Sequence, residues 1–545
     1  MGLQSIDIYG FNSGLQKKNK KPFLYVDDAF QTLENAYCFR EEIKKREGMK
    51  LLGRYRRVFA TASIGSSKAS PWSILNLYST YTPAITPEAT AEIEPGSVII
   101  TIQAGPDIVF TDQGNGILES STPNNQGYIN YLNGDIVLTH TAGAGDASTA
   151  SFAYFPGLPA MGINEREINT ISDEQTVFFD TKYAYKVTNS DFEEFITGTT
   201  WTGTDSDFFW PCNYRGADAS TRLFFVSNFV NDANNPIRYT DGSTWNDFFP
   251  VLTQTGAVDT RVFMTQAKLM VSYYGRLCAF NVWQTGATVG GLPNYGVTQQ
   301  FDNRCVFSQI GNPLETTVAL PVVDTAWRYD QFGRGGFIDA PTNEAIVGAK
   351  FYKNTLIVFF ERSTWRFQYL GEYGLPFIWE RISSDWGSES TYSSILFDSG
   401  VLTVGDKALT ANTGTTTQRN DLQLPEQVYS FKNSNEGPQR VHGIRDFKKE
   451  VVYWCYPEQE SFELPAQYYP NKSLLYNYRN NTYAIYRNTV TCFGYFQYQT
   501  SITWDRTDVY WDNYNVTWDT SDQIKMPLVV SGNQQDLLIF TITTM

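Results

Sequence analysis

The chain has 545 residues, 42% of them hydrophobic and 18% charged, the balance of a folded protein rather than a disordered one. Its net charge of −15 argues against gripping a nucleic-acid backbone, and its two histidines, His140 and His442, argue against any mechanism built on a histidine cluster. No stretch approaches the ~18 uninterrupted apolar residues of a membrane span, and the opening MGLQSIDIYGFNSGLQ lacks the basic-then-apolar pattern of a signal peptide, so neither is expected.

Residues 1–60 read as a leader. Lys and Arg outnumber Asp and Glu over 1–57, whereas the remainder is strongly acidic. Apolar anchors Phe11, Leu15, Phe23, Leu24 and Phe30 alternate with basic clusters that include Lys17, Lys18, Lys44, Lys45 and Arg46. Exposed anchors between positive charges suit a docking segment; a solvated, solubilising face is the plainer reading. A hairpin is expected to close near Glu41–Glu42, with strands around Tyr37–Arg40 and Lys50–Val58. Asp28–Phe39 and Asp191–Phe195 are the best helix candidates.

Residues 83–160 read as a small β-sandwich-like module bounded by the proline-containing segments TPAITPEATAEIEPG and PGLPAMG. Strands are expected at Ser97–Gln103, Asp107–Thr111, Gly127–Tyr131, Asp135–His140 and Thr149–Phe155. In GYINYLNGDIVLTH, Asn133–Gly134 is expected to form a two-residue type I′ turn with both residues at positive φ.

From residue 165 to 545 a loose repeat recurs: an aromatic, a short polar turn, then an apolar run. It starts at Phe179, Tyr274, Tyr352, Phe397 and Phe447, with a weaker copy at Ser220–Val226. Most intervals fall near the ~40–50 residues of a four-stranded propeller blade. The interval from Tyr274 to Tyr352 is long, which places an insertion near 283–337. Six starts suggest an all-β chain with a β-propeller of about six blades; unrelated β-hairpins are the alternative. The final run PLVVSGNQQDLLIF is either another blade start or the strand that closes the ring.

A second insertion is expected near 500–520. There Trp504, Trp511 and Trp518 are each followed by Asp, a pattern that suits Trp packing with Asp in turns, or sugar stacking. The six cysteines form no C-x-x-C pair and read as free, buried thiols made in a reducing compartment.

The leader segment KPFLYVDDAFQTLENAYCFREEIKKREGMKLLG resembles the opening of β-propeller tail nozzle, or tail-hub, proteins of short-tailed double-stranded DNA phages. The matching elements are Pro22, Ala29–Phe30, Asn35–Ala36, Phe39, Lys45–Arg46 and Gly48. The hairpin carries Glu41–Glu42 where that family commonly has a glycine. TASFAYFPGLPAMGINEREI followed by FFDTKYAYKV is similar to the start of the propeller in the large tail hubs, or muzzle proteins, of crAss-like phages. The resemblance implies a structural virion protein of the tail, made in the host cytoplasm. It implies a ring of copies, usually six, below the portal and adaptor rings, which closes the channel and passes genome DNA without sequence-specific binding. The channel-facing surface is expected to be acidic or neutral, because a basic wall would hold the duplex.

No residue pattern points to catalysis, a cofactor or a metal. GVLTVGDKA, Gly400–Ala408, fails as a phosphate loop and reads as strand and turn; FGRGGF reads as a turn. No G-x-S-x-G elbow occurs. TDGSTW, Thr240–Trp245, approaches an Asp-box but lacks one residue, and TGTDSD reads as a solvated loop rather than a calcium loop. A propeller that binds or hydrolyses glycans is the competing reading; hydrolysis would need two carboxylates roughly 5–9.5 Å apart.

Overall fold

A computed structural model describes residues 10–17, 28–74, 76–168, 174–188, 191–216, 222–316, 325–371, 375–434, 440–458, 469–496, 527–534 and 537–541. Among them, helix is confined to the single turn Leu77–Thr80 and two 3-10 turns; the rest of the regular structure is strand. The helix candidates resolve into strands and loop: Ala29–Phe30 and Ala36–Phe39 are strands, as is Asp191–Glu194.

Among the described residues seven mainly antiparallel strand groups follow one another, the first and last joined through Met49–Ser66 into one sixteen-stranded sheet. The first begins with strand Gly162–Glu167, the second with Trp210–Arg215, and the fourth with Ile346–Tyr352. The fifth begins with Ile395–Phe397, the sixth with His442–Asp446, and the seventh with Cys492–Phe496. In the third the axial strand is Val262–Tyr273. Each axial strand packs on the next, and Cys492–Phe496 packs on Gly162–Glu167, so the ring closes. The fold is a β-propeller, with seven sheets among the described residues where the repeat marks six starts. The additional sheet comes from the final apolar run, which supplies strands Leu528–Gly532 and Leu537–Thr541.

The repeat has a physical origin. In the fourth, fifth and sixth sheets the apolar run is the second strand, covered on both faces by neighbouring sheets. All six residues of Val451–Tyr456 and all five of Gly400–Val404 are buried. The aromatic stands at the turn into that strand, a turn that needs left-handed backbone at Tyr274 (φ 47°) and Lys353 (φ 53°). In the first sheet the motif at Phe179 instead marks the turn between the second and third strands. The long interval holds the hairpin Arg276–Ala287/Pro293–Phe307, which begins before 283 and overlaps 283–337 only in part.

Strand Met49–Ser66 fastens the ring. Its first part pairs antiparallel with Leu537–Thr541 and becomes the outer strand of the seventh sheet. Tyr55 and Arg56 then pair in parallel with Phe192 and Glu193 of the first sheet, and the remainder pairs with Ala147–Phe155. Lys50–Val58 therefore completes the ring and does not form the leader hairpin. Around this strand Arg56 meets Asp191 at 2.9 Å and Glu94 at 3.5 Å, and Arg57 meets Glu194 at 2.9 Å. Nearby, buried Asp180 accepts from the Tyr185 hydroxyl at 2.5 Å; burial pushes its carboxyl up to about 7.

The small module has its own core, which includes Trp72, Ile93, Ile100, Phe110, Leu118, Ile136 and Phe152. It begins earlier than residue 83: the second half of Met49–Ser66 and strand Trp72–Ile74 belong to it. The expected strands are present as Ile99–Ile102, Ile108–Asp112, Gln126–Asn130, Asp135–Thr139 and Ala147–Phe155, with Ile117–Ser120 in addition. The expected two-residue turn is a four-residue loop, because Asn130 pairs with Asp135 across it. Gly134 takes positive φ (74°), whereas Asn133 does not.

Candidate functional site

Two features stand out: the leader, and a cavity on the propeller axis. The leader residues do not form a free arm. Leu15 is fully buried, and Phe11 and Phe30 pack together, ring centroids 5.5 Å apart, against the core of the sixth sheet. Gly14–Leu15 pairs in parallel with Ala29–Phe30, and Asp28 accepts from the backbone N–H groups of Asn12 and Ser13 and from the Ser13 hydroxyl. Expected exposure is thus corrected for Leu15, which is buried, while Phe11 and Phe30 are partly buried against the same chain. Lys18, Phe23 and Leu24 lie outside the described residues, as do Trp504, Trp511 and Trp518.

The leader hairpin is Ala36–Phe39 paired with Glu42–Lys45, turning at Arg40 and Glu41, both at positive φ. Lys44 and Lys45 are exposed, with the Lys44 ammonium 4.4 Å from the Phe39 ring centroid. Lys17 and Arg46 are engaged. Lys17 donates to Gln427 Oε1 at 2.8 Å, and burial lowers its pKa. Arg46 donates to the Arg487 carbonyl at 2.6 Å. The leader meets the outer strand Thr482–Arg487 through Asn35 N–H to Ile485 O (2.9 Å), Ile485 N–H to Leu33 O (3.0 Å) and the Glu34–Arg487 ion pair (3.0 Å).

A cavity of about 750 Å³ opens where loops of the second to sixth sheets converge. Asp207, Glu361, Glu389 and Asp406 bring carboxylates, Lys268 and Arg362 bring cations, and Asn228 and Phe229 also line it. Burial, with Asp406 adding, raises the pKa of Glu389; burial, with Asp205 and Asp232 adding, raises that of Asp207. Asp207 also caps its own turn, accepting from Thr204 N–H at 2.6 Å, which fits the loop reading of TGTDSD. In TDGSTW, Asp241 likewise caps a turn, accepting from Ser243 N–H at 3.0 Å.

Next to Phe208, another lining residue, side chains from several sheets meet. Tyr392, just before the fifth sheet, donates its hydroxyl to the Phe209 carbonyl at the start of the second. The His442 ring stacks on Tyr392, centroids 5.0 Å apart. Arg440 is buried, donates to the Met161 carbonyl at 3.2 Å, and lies 5.6 Å and 5.4 Å from the Phe208 and Tyr392 ring centroids. Two aromatic faces compensate a guanidinium that forms no ion pair among the described residues. These axial residues carry no sequence motif; they precede or open axial strands, which is visible only once the ring is known.

No protein-family model matches the chain. No curated protein does either. Among solved structures, apo AztD from Citrobacter koseri aligns at 11% identity over 59% of this chain and 93% of its own, with a TM-score of 0.24. PorZ of the type-IX secretion system of Porphyromonas gingivalis aligns at 10% identity over 76% and 62%, and Kluyveromyces lactis Hsv2 at 10% over 61% and 98%; both have a TM-score of 0.19.

Proposed function

We propose that the chain is a non-catalytic structural subunit of the tail hub, or nozzle, of a short-tailed double-stranded DNA phage. In this reading, copies form a ring, probed first as a hexamer, that joins the adaptor proteins and lets genome DNA pass. The observation that carries the reading, beside the leader resemblance, is the placing of Tyr392 and Arg440. With Tyr392 bonded to the Phe209 carbonyl and Arg440 buried alongside, side chains of the described residues cross the middle of a single propeller. A channel built from this chain therefore requires several copies around a shared axis, each propeller serving as a wall block. Imaging of the purified full chain by negative stain, with its mass in solution, tests this: rings support it, and monomers at every concentration contradict it.

A second reading, glycan binding, is favoured by the axial cavity, where carboxylates, an amide and Phe229 converge. Titration with oligosaccharides tests it. Binding that Glu389→Gln weakens at least tenfold would favour this reading over a purely structural one.

A further inference from the structure

We propose that, in the assembled ring, the leader of each copy docks on the sixth sheet of a neighbouring copy, in the groove that the structure shows occupied by the chain's own leader. The inference rests on the ring reading and names the contact that links its subunits. Three observations carry it.

First, the leader is organised largely by itself. Asp28 staples residues 12 and 13, Gly14–Leu15 pairs with Ala29–Phe30, the hairpin pairs internally, and Phe11 N–H donates to the Glu41 carbonyl. The described residues of the lobe are thus tied to one another as well as to the sixth sheet.

Second, its junction with strand Met49–Ser66 is narrow. Gly48 is exposed, and a side chain added there would meet nothing within 4 Å. Glu47 is held by Lys449 at 2.6 Å and Met49 by its pairing with Thr541, so an exchange turns at Gly48, the one exposed residue between them.

Third, the groove is demonstrably complementary to this lobe. Leu15, Leu33, Tyr37 and Cys38 are buried against the sixth-sheet core, and Glu34 pairs with Arg487. Because every copy carries the same groove, the second copy's leader matches it contact for contact. Exchange conserves these contacts and adds a covalent thread between subunits. Docking within one chain has the advantage of high local concentration, and a ring that holds copies side by side removes that advantage.

The test uses two full-length variants, Glu34→Cys and Arg487→Cys, co-assembled and treated with a short thiol crosslinker. The six native cysteines are all buried. A crosslinked dimer from the mixture, absent when either variant is treated alone, is the expected result. The double variant within one chain should give a covalent ladder of oligomers. Internally crosslinked monomers alone, from samples that image as rings, would overturn the exchange and leave the ring reading standing. Monomers alone, from samples without rings, would overturn both. A double variant that does not crosslink at all would also overturn the proposal, since the exchanged contact is the Glu34–Arg487 contact itself.

Discussion

The imidazole of His442 lies nearly parallel to the phenol ring of Tyr392, with 15° between their planes. Burial holds its pKa well below the ordinary histidine range, and Arg440 and Lys350 add to the effect. Lys350, on strand Ile346–Tyr352, is exposed to solvent, and burial around its ammonium lowers its pKa.

Acid should therefore loosen the propeller through this residue. The unfolded chain takes up the His442 proton near the ordinary value, the folded chain only at lower pH. The stability that neutral His442 contributes is full above about 6.5 and is lost as pH falls toward the folded pKa, at up to about 1.4 kcal/mol per pH unit. Asp180 works in the opposite sense: its contribution is full below the ordinary carboxylate range and is lost as pH rises through about 7. The difference between wild type and His442→Gln isolates the imidazole. Calorimetric melting from pH 7 to pH 5 should show a shallower loss in the variant; equal slopes would refute the assignment.

Tyr392→Phe removes the hydroxyl that reaches the Phe209 carbonyl and leaves that acceptor without this donor. The expected cost is about 1–3 kcal/mol, read as a lower midpoint in urea with an unchanged slope.

Gly134→Val should strain the small module selectively. The residue has φ 74°, and an added Cβ would sit 3.2 Å from Ile93 Cδ1 and 3.3 Å from the Leu77 nitrogen. A cost of about 1–3 kcal/mol is expected, seen by hydrogen exchange as faster opening of Gln126–Thr139 while Val451–Tyr456 stays protected.

Leu15→Ala tests leader docking within the single chain. Truncating a fully buried leucine costs roughly 2–5 kcal/mol. Proteolysis within residues 28–48 should accelerate by at least tenfold, while the propeller core remains uncut. Unchanged cleavage would mean that Leu15 does not hold the leader.

The strands were legible in sequence wherever one side-chain pattern sufficed. Val451–Tyr456 and Gly400–Val404 are buried throughout because sheets cover both faces, and their largely apolar runs are what the repeat registers. The seventh sheet was less legible: its outer strand comes from Met49–Arg54, far away in sequence, and no local rule links it to Leu537–Thr541. The leader misled for a similar reason. Leu15 looks unpartnered beside lysines, and the strand it packs on, Thr482–Arg487, lies near the other end of the chain. Asn133–Gly134 shows the limit of turn dipeptides: cross-strand packing of Ile129 opposite Ile136 fixes the register and makes the loop four residues long. The axial cluster was illegible because Tyr392, Arg440 and His442 meet through the side-by-side packing of the fifth and sixth sheets, which no local pattern marks.

The pairing of Met49–Arg54 with Leu537–Thr541 also sets an order for biosynthesis. Met49–Arg54 leaves the ribosome early, and its partner strand is made only after the other six sheets. Through most of translation its edge stays unpaired, a template for mispairing between neighbouring nascent chains. The last sheet to be synthesised is thus the one that locks the ring, and a chaperone that shields residues 49–54 would act on the interval when the polypeptide is most prone to aggregate.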